Sequence, residues 1–366
     1  MDLDRSRVAL LPSATADPYA GHRCLACGGG SASRTFGGAR PPTATDADGC
    51  AGSPAGISAE SRLCQHLSLQ RFILLGMADK SVTAFVLSGG GKEASAEIGM
   101  LAALMEAGIQ PDLVLGASAG AAIGAIFAAK PDAVGLRAVR DLWLEFVSSP
   151  RLAGLWTYSL VRPYCPPLQQ KSRDALAVAL QKHLPVERFE DLQVRFQCPT
   201  VDLGGLPRTH WLTSGLLLPA VLAAMSGPGV IPPARVDGRE VIDGAFADPI
   251  SIERAVELGA RTIYVLPATD LKRPRGPVSV LRWIAPVPTA IGISARFHHQ
   301  LDVVGDEAVV HCLPLGRPAP VTGVPLIGRT VGVDLAASLA LADAEIIDAY
   351  RASGEFLAAI ASASPV

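Results

Sequence analysis

An α/β fold is predicted, with a mostly parallel central sheet and helices on both faces, and three observations predict it. Short apolar runs of strand length alternate with longer stretches of helical period, two of those runs end in glycine-rich turns, and the composition supports a large core. Of the 366 residues, 49% are hydrophobic and 18% charged, enough apolar material for one large domain and a tail. A net charge of −2 argues against a nucleic-acid-binding surface. No apolar run reaches the roughly 18 residues that a membrane span needs. The best, 216–225, is interrupted by Pro219. No basic stretch followed by an apolar one opens the chain, so no secretory signal is expected. Seven cysteines without regular spacing point to a reducing, cytoplasmic setting.

Residues 1–76 are rich in Gly, Ala, Ser, Thr and Pro, hold no lysine and sustain no apolar period. Two readings stand for them: a low-complexity disordered extension, or a stretch upstream of a true start at Met77, where MADKSVTAFVLSGGG reads as the beginning of a domain. Cys24 and Cys27 form a CxxC, but no second pair follows. Cys50, Cys64, His22 and His66 match no finger or ribbon spacing, so no metal site is expected.

The domain is assigned to 77–366. The run Val82–Leu87 (VTAFVL) reads as a buried strand entering a tight loop at Gly89, Gly90 and Gly91. In 97–108, Ile98, Leu101, Leu104 and Met105 form a helical stripe closed by Gly108. A second strand is read at 113–115 and a helix dense in small residues at 119–130. Strand, helix, strand, helix in this order implies parallel pairing with helices on both sides. Further strands are expected at Arg195–Asp202, 240–242, 262–266 and 308–313. Further helices are expected at 134–147, 172–183, 216–225, 251–258 and 334–361.

Gly116-Ala117-Ser118-Ala119-Gly120 is a GxSxG. By composition alone such a match arises about once in four chains, so its place decides its meaning. It joins a strand to a helix, as the sharp turn of a nucleophile elbow does. Small residues let the two backbones approach, and the serine stands at a helix N-terminus, where developing negative charge is favoured. A plain strand-to-helix turn is the alternative. Ser88-Gly89-Gly90-Gly91, also between strand and helix, can aim backbone N–H groups at a tetrahedral oxyanion. A Walker loop would place Ser or Thr after Gly91-Lys92, where Glu93 stands, and a dinucleotide loop would read GxGxxG.

A serine nucleophile needs a proton acceptor. Asp243, followed by Gly244-Ala245 after an expected strand, is one candidate, and burial beside an apolar pocket raises the proton affinity of such a carboxylate. His298 and His299, read on a late loop, are the other, in a Ser-Asp-His arrangement. His311 lies inside an apolar run and reads as a strand residue.

The order of GGG after the first strand, GxSxG some way on and Asp-Gly-Ala after a later strand resembles the patatin-like phospholipase family. The resemblance extends to Glu106-Ala107-Gly108-Ile109, to the PGVIPP of Pro228 to Pro233 and to the AVELGA of Ala255 to Ala260, over roughly 81–350. It implies a three-layer fold and an acyl hydrolase whose catalytic pair is Ser118 and Asp243, without histidine. It also implies that the amides around Gly89, Gly90 and Gly91 hold the oxyanion. The implied substrate is a lipid or smaller carboxylic ester, with peripheral contact at a membrane surface and no cofactor or metal. Three positions depart from the family's pattern. Glu93 and Ala94 stand where a cation and a glycine usually follow the triple glycine, and Pro249 follows Asp248 where relatives often have Asn. A non-hydrolytic lipid- or acyl-binding protein with a weakened loop is therefore the alternative function.

The composition of residues 1–76 generates a test. A protein beginning at Met77 is expected to melt at the temperature of the full-length chain, because the removed stretch brings no periodic apolar face to a core. A clearly lower melting temperature of the shortened protein contradicts this.

Overall fold

The structure is a computed structural model that describes residues 81–148, 165–271, 286–316 and 335–363, all within one unit, Phe72–Val366. The N-terminal stretch, with its CxxC, lies outside the described residues.

The first strand, β1 (Val82–Leu87), is apolar throughout its second half and leads through a 3-10 turn (Gly91–Ala94) into helix α1 (Ser95–Glu106). Strand β2 (Leu113–Gly116) then turns sharply into α2 (Ala119–Ala129), every residue of which is buried. Its sequence, AGAAIGAIFAA, is what a helix pressed between a sheet and a second helical layer requires. Next come α3 (Ala133–Ser148) and α4 (Pro166–His183), then β3 (Arg195–Asp202), β4 (Arg208–Leu212) and α5 (Leu217–Ala224). Strands β5 (Ala234–Val236) and β6 (Arg239–Asp243), α6 (Ile252–Glu257), β7 (Ala260–Leu266), α7 (Pro286–Val304), β8 (Val309–Cys312) and α8 (Leu335–Ala363) complete the described elements.

The sheet runs β5-β6-β3-β2-β1-β7-β8, with β4 also paired to β3. Strands β3, β2, β1, β7 and β8 are mutually parallel. The period of two along each strand divides the core into two layers. Phe85 and Leu87 of β1, Val114 of β2 and Tyr264 of β7 pack on the side of α1 and α2. Ala84 and Val86, Leu113 and Leu115, and Ile263 and Val265 pack with Ile252 and Ala255 of α6 and with Ile293, Phe297 and Val304 of α7. Helices thus cover both faces of a mostly parallel sheet, as expected.

Three features differ from the sequence reading. The sheet is mixed: the second half of β3 pairs antiparallel with both β4 and β6, and β6 pairs antiparallel with β5. Strands β4 and β5 were not anticipated, being only five and three residues long, too short to show an apolar period. Finally, 286–304 is helix, so His298 and His299 stand within α7 rather than on a loop. The helix continues past them because Phe297 and Val304 lie on its buried stripe. His311 is on strand β8, as read, with its ring 5.0 Å from that of Tyr264.

The chain builds outward from β1 in both directions, to β2 and β3 on one side and later to β7 and β8 on the other. The crevice at the carboxyl ends of the strands beside such a switch in order is where open α/β sheets place ligands. The loop Ser88–Gly91 leaves β1 at that point, and Ser118 follows β2 next to it.

Candidate active site

Strand register brings the three motifs to one level. Leu87 of β1 pairs with Gly116 of β2, and Leu113 to Leu115 pair with Arg195 to Gln197 of β3. Carried on by a few residues, this register sets Gly89 and Thr200 level with Ser118. Thr200 in turn pairs directly with Asp243 of β6. Motifs as distant in sequence as positions 89, 118 and 243 therefore meet at the carboxyl end of β1 and β2.

Ser118 takes φ 52° and ψ −121°. A β-carbon makes this region costly, by about 1–3 kcal/mol. The turn is forced by the closeness of strand and helix: a β-carbon at Gly120 would lie 2.6 Å from the Ser88 carbonyl oxygen. The Ser118 hydroxyl makes no capping bond to its own helix. It hydrogen-bonds instead to the Asp243 carboxylate. Both residues are nearly enclosed, Ser118 at 8% exposure and Asp243 at 4%.

Asp243 is held from several sides. Its Oδ1 accepts from the Ala245 amide at 2.9 Å, and its own amide donates to Ser226 O at 3.0 Å. Burial pushes its carboxyl up from an ordinary 3.8 to about 6, against the opposing pull of the hydrogen bonds from Ser118 and the Ala245 amide. That is the proton affinity a base needs near neutral pH, which an ordinary aspartate lacks.

The glycine loop lies against both. A β-carbon at Gly89 would meet Ala245 Cβ at 2.8 Å and Ser118 Cβ at 3.1 Å, so only glycine lets this loop touch the serine and the aspartate turn at once. Gly90 is covered by Ala268, whose methyl would be 2.1 Å from a β-carbon there. The Gly89 amide donates to Pro249 O at a long 3.4 Å. Among the described residues the amides of Gly90 and Gly91 have no acceptor. The N-terminus of α2 points its partial positive charge at the same space. Together these parts can deprotonate a hydroxyl and stabilise a negative oxygen.

The structure brings together Ser118, Asp243 and the three glycines. It does not bring the histidines to them: His298 is half-buried and His299 exposed on α7, and the Ser118 hydroxyl donates to the Asp243 carboxylate instead. Glu93 is half-buried in the 3-10 turn, its amide donating to Gly90 O at 3.3 Å, and Ala94 is wholly buried in the core. Sequence reasoning missed the supports. Ser226 and Gly227 pack under Asp243, and Ala268 closes over Gly90. Gln300 of α7 donates to Asp248 Oδ1 at 2.7 Å and accepts from the Ile252 amide at 2.7 Å, pinning the loop after Asp243. No motif announces these residues; only the Pro228 to Pro233 segment had been singled out nearby.

Residues 85–256 match the model of the patatin-like phospholipase family. Among curated proteins, it is 32% identical over 202 residues to "Lysophospholipase NTE1" of Coccidioides immitis, a match covering 55% of this chain and 12% of that protein. It is 30% identical over 195 residues to the protein of the same name from Phaeosphaeria nodorum, covering 53% and 12%. The matched segment is thus a small part of those relatives' length. A crystal structure of VipD from Legionella pneumophila aligns over 77% of this chain and 67% of its own, with 14% identity and a TM-score of 0.40.

The raised proton affinity of Asp243 generates a prediction about stability. Well below pH 3.8 the carboxyl is protonated whether the chain is folded or not. As pH rises through about 6 the folded protein alone must carry a buried charge that the unfolded chain accommodates easily, at a cost on the order of 3 kcal/mol. Asp243→Asn is therefore expected to melt above wild type at pH 8, with the gap closing toward pH 4. Equal or lower melting of the variant at pH 8 contradicts the burial argument.

Proposed function

We propose that this chain is a serine acyl hydrolase acting on lipid carboxylic esters, with Ser118 as nucleophile and Asp243 as general base. The observation that carries the reading is the strained Ser118 turn, whose hydroxyl is hydrogen-bonded to a buried, basic aspartate beside a loop of glycine amides. The family match and the lysophospholipase relatives support the substrate class. They favour a phospholipid carrying a single acyl chain.

Ser118 Oγ attacks the ester carbonyl carbon as its proton passes to Asp243. The carbonyl oxygen becomes an oxyanion, received by the amides of Gly90 and Gly91 at the positive end of α2. The tetrahedral species collapses, the C–O bond to the alcohol breaks, and Asp243 returns the proton to the leaving oxygen. Water then attacks the acyl-Ser118 ester, Asp243 takes its proton, and collapse frees the fatty acid and reprotonates Ser118. One carboxylate serves as base and acid in turn, so no histidine is needed.

The rim suits an apolar substrate. Phe246, three residues past Asp243, is 63% exposed, and Leu206, on the β3–β4 hairpin beyond the carboxyl end of β3, is 81% exposed. These side chains offer contact to an acyl chain or to a lipid surface held peripherally. Among the described residues no helix is long and apolar enough to cross a membrane.

On p-nitrophenyl esters of rising chain length and on lysophosphatidylcholine, Ser118→Ala is expected to abolish hydrolysis. Asp243→Asn is expected to lose at least about a thousandfold, since members of one catalytic unit fail together. For wild type, kcat/KM should rise with pH through about 6 and level off above it, because the base works only when ionised. His298→Ala/His299→Ala should change the rate little. Activity in Ser118→Ala within a few-fold of wild type removes the reading, and a large loss in the histidine pair restores a triad.

A further inference from the structure

The mechanism leaves one buried ionisable group without a task. Glu97, in the first turn of α1, is wholly enclosed. The Ser88 hydroxyl donates to its Oε1 at 3.3 Å and accepts from the Ala268 amide at 2.8 Å. The Ser88 amide donates to Leu266 O at 3.1 Å, and its carbonyl oxygen is the atom that excludes a side chain at Gly120. Ser88 thus joins the exit of β1 to the exit of β7, to the helix that carries Ser118 and, through Glu97, to α1. It does so one residue before the glycine loop begins. The other carboxyl oxygen of Glu97, Oε2, has no hydrogen-bond partner among the described residues. For stability alone an apolar side chain would serve better at this place, since an unpaired buried polar atom costs about 1–3 kcal/mol.

Resting on the hydrolase reading, we propose that Glu97 is a positioning residue for acyl transfer, holding the Gly89–Gly91 loop through the Ser88 hydroxyl. Burial, the largest influence on this carboxyl, drives its proton affinity well up. Burial thus favours the uncharged acid, the form that sets no negative charge behind a loop that must face an oxyanion. It touches no reacting atom. Its effect is to fix where the Gly90 and Gly91 amides stand, so its loss falls on the transition state more than on substrate binding.

The test compares Glu97→Leu, Glu97→Gln, Ser88→Ala and the pair Ser88→Ala/Glu97→Leu with wild type and Ser118→Ala on a p-nitrophenyl ester, with a thermal melt of each. Glu97→Leu is expected to lower kcat about tenfold, or about 1.4 kcal/mol of barrier, with KM little changed. Its melting temperature should equal or exceed that of wild type, a combination that a merely structural glutamate would not give. Ser88→Ala should show a similar loss of kcat, and the pair no more than either change alone. Glu97→Gln, which keeps an acceptor for Ser88, should recover most of what leucine loses. Wild-type kcat in Glu97→Leu, a loss that glutamine does not recover, or additive losses in the pair overturns the proposal. Should Glu97→Leu fail to fold, Ser88→Ala decides: wild-type kcat there also overturns it. Undiminished hydrolysis by Ser118→Ala would instead sink the hydrolase reading itself, which the Glu97 variants leave untouched.

Discussion

The site depends on the pairing register of four neighbouring strands. In an α/β sheet a one-residue slip moves every side chain to the other face. Here the pairing of Leu87 with Gly116, of Leu113 with Arg195 and of Thr200 with Asp243 fixes the heights of the glycine loop, the serine and the aspartate together. That register is in turn enforced by the two-sided core. Slipping β1 would drive Phe85 and Leu87 out of the layer under α1 and α2 and exchange them for Ala84 and Val86. The packing that stabilises the sheet is therefore also what aligns the chemistry.

Against this background the site concentrates unfavourable terms. Ser118 adopts a conformation that L side chains avoid, Asp243 carries a charge almost out of reach of water, and Glu97 buries an oxygen that has no partner among the described residues. Each opposes folding, and in the proposed mechanism each has a use: the turn aims the hydroxyl at Asp243, burial makes the aspartate basic, and the glutamate anchors the loop. A scaffold closed on both faces by helices tolerates such strain because the surrounding core leaves the chain no cheaper arrangement. The antiparallel β3–β6 pairing serves the same end. Strand β6 runs back along β3 and ends at Asp243, which pairs with Thr200 and so stands level with Ser118.

Much of this was legible in the residues. Strands β1 and β3 were read to the residue, and the glycine loop and the GxSxG turn were placed between strand and helix because an apolar strand run leads into each. Asp243 as partner of Ser118 came from the family resemblance, since Asp-Gly alone also describes an ordinary turn. What escaped was local structure without apolar period. Strands β4 and β5 are too short to show a period, although the turn between β5 and β6, Asp237-Gly238 with both φ angles positive, is a hairpin signal that could have found β5. Helix α7 was missed because its buried stripe is interleaved with Gly, Ser, Arg and His. The supports from Ser226, Ala268 and Gln300 are invisible in sequence because they arise from tertiary packing and carry no motif.

The most direct measurement is covalent labelling of the full chain by a fluorophosphonate across pH 4–9, with the modified residue located by peptide mass spectrometry. The account predicts a single label on Ser118, with a rate that climbs through pH about 6 as Asp243 ionises and that collapses in Asp243→Asn. Labelling elsewhere, no labelling of a folded protein, or a Ser118 label indifferent to Asp243→Asn would contradict it.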